Sequence, residues 1–172
     1  MAGGFPHAAL GHIWKSTEFL YLLGERSLDG QEEIQKDVLT ATSGYAAKRF
    51  KKTKYKKQIR HDFTVFRHQW MLWCIWQKCL GSEDFRKHLL SIPDDAIIVE
   101  KVKNDPVWAA EEDPDSGLLR GGNAVGKILT ICRLCLLSNI IPSIDLELLN
   151  NAAIHILGQR VEFLDSDLHI SA

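Results

Sequence analysis

The chain has 172 residues, a net charge of −1, and 45% hydrophobic and 25% charged residues. That suffices for one real core in one domain spanning 1–172, and the balanced charge excludes a global field that would name a partner. An 18-residue apolar run is missing, which argues against a membrane span, and Met1-Ala-Gly-Gly-Phe-Pro6 has neither the basic nor the apolar region of a secretion signal.

In chain order, Ser16 can cap a helix running to about Arg26, with Phe19, Leu20, Leu22 and Leu23 as its apolar side. Leu28-Asp29-Gly30 reads as a turn. Residues 31–41 form a second short helix around Ile34, Val38 and Leu39, and Ser43 can cap a third over 44–50. Eight of the thirteen residues from Lys48 to Arg60 are Lys or Arg, and none is acidic. Such a run is either a solvated loop or a platform for phosphates, and the interleaved Phe50 and Tyr55 favour a nucleotide or nucleic-acid partner.

Residues 61–80 form the long central helix. Phe63, Phe66, Trp70, Trp73 and Gln77 keep helical spacing, and Trp76 and Leu80 widen the stripe into a core face. Residues 83–91 are a further short helix, and Ala96-Ile-Ile-Val-Glu100 reads as a short buried strand. Residues 104–122 are loop, rich in Asp, Glu, Gly and Pro. Asn123 can cap a helix to Asn139, and Pro142-Ser143 opens a short one to Asn151. Residues 153–157 and 159–163, split at Gly158, read as two short strands or a hairpin. The fold class is α+β, mostly helical with one small sheet. The core lies in about 1–137, and 138–172 add the last helix and strands.

Several motifs fall short. Gly121 to Lys127 resembles a phosphate-binding loop, but Ile128 stands where the Mg²⁺-binding hydroxyl belongs. Cys132-Arg-Leu-Cys135 has redox spacing inside an apolar helix, so packing is the plainer reading. The four cysteines (74, 79, 132, 135) read as free buried thiols of a reducing cytoplasm. Seven histidines form no pair with ligand spacing, and no metal site or cofactor is called for.

Two segments concentrate chemistry: Trp14-Lys-Ser-Thr-Glu18 near the start, and Asp105-Pro-Val-Trp108 followed by Gly122-Asn123-Ala-Val-Gly126-Lys127. An acid and a tryptophan from each suggest one cleft built from distant parts of the chain. Together with Ala46-Ala47-Lys48-Arg49, Arg60-His-Asp62-Phe63, Ile98-Val99-Glu100 and Arg133, their order resembles the NADAR (YbiA-like) family of N-glycosidases over about residues 1–137 and on to about 164. Met1 to Pro6 resembles the family's opening loop. Ala109 stands where the family has glycine, and Phe63 where it has tryptophan.

The resemblance implies an enzyme that cleaves N-glycosidic bonds. Its expected substrates are ADP-ribosylated guanine in nucleic acid or, alternatively, phosphorylated ribosylamino-pyrimidine intermediates of riboflavin synthesis. A third possibility, of another class, is a non-catalytic ADP-ribose or nucleic-acid binding module. It implies Glu18, Lys48 and Asp105 as catalytic residues. Trp14, Trp108, Asn123, Gly126 and Arg60 are the expected substrate contacts. Asparagine and glycine would shape a phosphate-facing helix start, and the tryptophans would stack on base or ribose. Each also has a plainer role: Glu18 as a helix-start carboxylate, Asp105 as an Asx turn before Pro106, and the tryptophans as partly buried loop edges.

Overall fold

The computed structural model describes residues 5–53 and 55–169, with backbone alone for 50–53. Met1 to Gly4 of the expected opening loop, and the side chains of Phe50, Lys51, Lys52 and Lys54 in the basic run, lie outside the described residues.

The chain opens with a hairpin, β1 (His7–Ala9) and β2 (His12–Trp14). Helices α1 (Thr17–Gly24), α2 (Glu32–Leu39) and α3 (Gly44–Thr53) follow. The central α4 (Phe63–Gly81) leads to α5 (Glu83–Leu90), a second hairpin of β3 (Glu111–Glu112) and β4 (Leu119–Arg120), and α6 (Ala124–Ser138). Helix α7 (Leu146–Asn151) and a third hairpin, β5 (His155–Ile156) and β6 (Gln159–Arg160), complete the fold.

Helix α4 is the axis, and α1, α5, α6, α7 and β1 all pack on it. Its tryptophans are core, as their spacing predicts. Trp70 and Trp73 stack at 5.3 Å, and the Phe163 ring meets both edge-on. Each such pair contributes about 0.5–1.5 kcal/mol beyond area burial. The Trp70 indole donates to the Tyr21 carbonyl at 3.1 Å and the Trp76 indole to that of Leu168 at 2.9 Å, whereas the buried Trp73 Nε1 finds no acceptor among the described residues. All four cysteines are free and buried. No helix among the described residues is long and apolar enough to cross a membrane.

The α+β class holds, but the sheet differs. In place of one small sheet, the described residues carry three separate two-stranded antiparallel hairpins. The first pairs His7 with Trp14 around Leu10-Gly11, both at positive φ. The third turns at Leu157-Gly158 in the same way and pairs His155 with Arg160. Successive positive φ values make the tight turn whose twist suits a hairpin. The second hairpin interrupts the expected loop at 104–122. Residues 96–100, expected as a strand, pair with no strand. Their polar groups are satisfied otherwise: the Asn123 amide donates to the Ile98 carbonyl and accepts from the Glu100 N–H, while Ala110 N–H donates to the Glu100 carbonyl. The last helix starts at Leu146 rather than Pro142, because Asp145 accepts the Leu148 N–H at 2.8 Å and caps it there.

Candidate active site

Helices α1, α3 and α4 and the segment 100–108 enclose a cavity of about 440 Å³. That is the size of common small-molecule sites. Its polar wall carries Glu18, Glu25, Glu100, Asp105, Lys48 and Arg67, and its apolar floor is laid by α4.

Helix α1 holds Glu18 in its first turn, where its charge also favours the helix dipole. Ser16 occupies the cap position in extended backbone, but its side chain makes no capping bond. Helix α3 is capped by the Ser43 hydroxyl, which accepts the Ala46 N–H at 3.2 Å. One turn into that helix, the Lys48 ammonium meets the Glu18 carboxylate at 2.8 Å. Burial pulls the Lys48 amine down, but the charges of Glu18, Asp105 and Glu100 and the bond to Glu18 outweigh it. The amine is therefore held above the ordinary lysine value and carries its proton at neutral pH.

Asp105 lines the cavity and also makes the expected Asx turn, accepting the Trp108 N–H at 3.1 Å. Trp108 is half-buried at the wall, edge-on to Tyr21 at 5.5 Å and beside the His68 ring at 4.9 Å. Burial and then the Glu25 charge hold the Tyr21 phenol far above its usual range, so it stays neutral. Ala109, where the family has glycine, is buried and does not adopt positive φ, so its methyl brings no backbone strain. Phe63 fills the expected tryptophan position against Tyr21 and Phe66.

Four expected contacts are placed differently. The Trp14 indole is buried and donates to the Ala9 carbonyl at 2.9 Å; it lies outside the cavity, in a shallow hollow with His12 and Leu39. Arg60 lines the cavity, but its donors are committed. Two go to Asp62 at 2.6 and 2.7 Å, one to the Ser27 hydroxyl at 2.9 Å and one to the Ala152 carbonyl at 2.6 Å. It acts as a clasp between the α1–α2 turn, α4 and the C-terminal part of the chain.

Asn123 and Gly126 do not line the cavity. Nor is the start of α6 open to a phosphate: the N–H groups of Gly122, Asn123, Ala124 and Val125 donate to the carbonyls of Pro106, Ala109, Val107 and Trp108. With those donors spent, the helix start anchors the Trp108 loop. Gly126 permits close approach, since a Cβ there would sit 2.2 Å from the Ile98 carbonyl oxygen. In the basic run, Tyr55 turns inward and donates its hydroxyl to Asp37.

Sequence reasoning missed Glu25, Glu100 and Arg67. Glu100 stood within a quoted segment. Arg67 was legible as the polar member of the α4 stripe Phe63, Arg67, Met71 and Ile75, which faces the cavity at four-residue spacing.

The profile of the NADAR domain matches residues 5–137. Comparison with curated proteins returns no match. Among solved structures, the NMR structure of the Escherichia coli protein YbiA is similar, with a TM-score of 0.61 and 23% identity. That similarity covers 78% of this chain and 74% of YbiA, and at this identity it establishes the fold. The profile match extends over most of the chain and takes in the Glu18–Lys48 pair, Asp105 and Trp108, so the protein belongs to the NADAR family.

Proposed function

We propose that this protein is an N-glycosidase that removes ADP-ribose from ADP-ribosylated guanine in nucleic acid. The observation that carries the reading is the Glu18–Lys48 pair at 2.8 Å in a cavity that also holds Asp105 and Trp108. Breaking a C–N glycosidic bond builds positive charge on the anomeric carbon and negative charge on the departing base. Glu18 stabilises the first charge and takes a proton from the attacking water, whose hydroxyl joins the anomeric carbon. Lys48 gives its proton to the base nitrogen. Asp105 orients the ribose hydroxyls, and Trp108 stacks on base or ribose.

A covalent variant uses the same pair. Lys48 passes its proton to Glu18, the sugar ring opens to leave C1 joined to the base as an imine, and the free amine adds to C1 and expels the base with its proton; water then hydrolyses the resulting lysine Schiff base to release the sugar. Neither route calls on a cofactor. The basic run that begins at Lys48 supports a polyanionic substrate.

A second reading, hydrolysis of phosphorylated ribosylamino-pyrimidines, is favoured by a separate observation. A neighbouring hollow shares Asp105 with the cavity and is lined by Glu111, Glu112 and Asp113, with Arg120 paired to Asp113 at 2.7 Å as its one cation among the described residues. These carboxylates oppose a nucleic-acid backbone on that side. Offering both substrates to the protein tests the proposal. ADP-ribose release from a modified guanine oligonucleotide supports it. Turnover confined to the small ribosylamine transfers the assignment to the second reading. Salt-sensitive DNA binding with no turnover of either marks a binding module.

A further inference from the structure

The cavity-facing stripe of α4 is apolar at Phe63, Met71 and Ile75, yet carries a guanidinium at Arg67. Among the described residues, Arg67 forms no hydrogen bond or ion pair, and its Nε is buried without a partner. The cavity's other cations are engaged: Lys48 holds Glu18, and Arg60 holds Asp62, Ser27 and Ala152. The Arg67 guanidinium lies over the Trp108 ring, 5.8 Å from its centre, next to the side chain assigned above to stack on the base or ribose. With no acceptor among the described residues, the Arg67 guanidinium keeps its terminal donors for a bound anion.

We infer that Arg67 is the anion-binding residue of this cavity, gripping phosphate oxygens of a phosphorylated ribosyl ligand whose base or ribose stacks on Trp108. The identity of the ligand rests on the glycosidase reading. The planar guanidinium presents paired donors that match a phosphate. Glu18, paired with Lys48, and the carboxylates of Glu25, Glu100 and Asp105 make the remaining wall less favourable to an anion than the Arg67 side. The phosphate is either the 5-phosphate of a ribosylamine or the diphosphate of ADP-ribose.

The test is direct binding, by calorimetry or ligand-observed NMR, of ribose, ribose 5-phosphate and ADP-ribose. Wild type, Arg67→Gln and Arg67→Lys are compared, each checked for a wild-type melting curve. Wild type is expected to prefer at least one phosphorylated ligand over ribose by tenfold or more. Arg67→Gln is expected to abolish that preference and Arg67→Lys to keep part of it; if the glutamine variant does not fold, the lysine variant carries the test. The tighter phosphorylated ligand identifies the source of the phosphate. Absence of any phosphate preference in wild type, or its full survival in Arg67→Gln, overturns the assignment. Because binding is read without turnover, an Arg67-dependent preference in a protein that cleaves no glycoside would sink only the glycosidase reading. Cleavage with a preference unchanged in Arg67→Gln would sink only the role of Arg67.

Discussion

Glu18 and Lys48 are separated by 30 positions in sequence and by one ion pair in space. The resemblance brought both forward, and their proximity explains why neither local pattern announces a site. A carboxylate in a first helical turn and a lysine in a basic run are each ordinary alone. Trp14 misled because an indole at a strand end is as readily a core donor, and its bond to Ala9 shows that use. The raised Lys48 value sets a pH expectation. A general acid works below its pKa, so kcat/KM should not fall on the alkaline side until the pH passes the ordinary lysine value of 10.5. A rise in activity across neutral pH that disappears in Lys48→Ala would instead identify the free amine as the working form. Borohydride trapping of a sugar adduct on wild type but not on Lys48→Ala would then locate the Schiff base.

Among the elements, the helices were legible to within a few residues, because each buries an apolar stripe of helical period. The hairpins were less so: a two- or three-residue strand carries too little alternation to read, and only the residue-Gly turns at 10–11 and 157–158 signal it. Residues 96–100 look like a strand because they are apolar, yet an Asn123 side chain and one loop N–H take the place of a neighbouring strand. The start of α3 is placed by Gly44. A Cβ there would lie 2.8 Å from both Cβ and Cγ of Glu18. Gly44→Ala should push α3 and Lys48 away from Glu18 and lower kcat at least tenfold in a protein that still folds. Wild-type kcat in the folded alanine variant would show that the close approach is not needed.

At the scale of the whole molecule, the described residues form three hairpins around a helical core, and the first brings an unusual cost. His7 of β1 is 2% exposed, and its ring makes no well-formed hydrogen bond, only a weak approach to the Phe5 backbone. Burial, and then the charge of Lys78, lower its pKa from 6.5 to about 4. Lys78 is itself buried with its amine 4.3 Å from the Phe85 ring centre, and burial lowers it to about 8. An imidazole that must stay neutral in the fold binds a proton more readily when unfolded. Stability should therefore fall as pH drops from 6.5 towards 4, by on the order of 3 kcal/mol. Urea melts of wild type and His7→Leu across that range check it: the variant should lose this part of the pH dependence, and parallel curves would show that His7 does not carry it.

The central claim, that this NADAR protein cleaves a glycosidic bond with Glu18, is tested most directly on an oligonucleotide bearing ADP-ribosylated guanine. Wild type and Glu18→Gln are incubated side by side, with circular dichroism confirming that both are folded. Release of free ADP-ribose by wild type and a loss of at least a hundredfold in Glu18→Gln is the expected result. Equal release by both would remove Glu18 from the mechanism, and no release by folded wild type would contradict the proposed substrate.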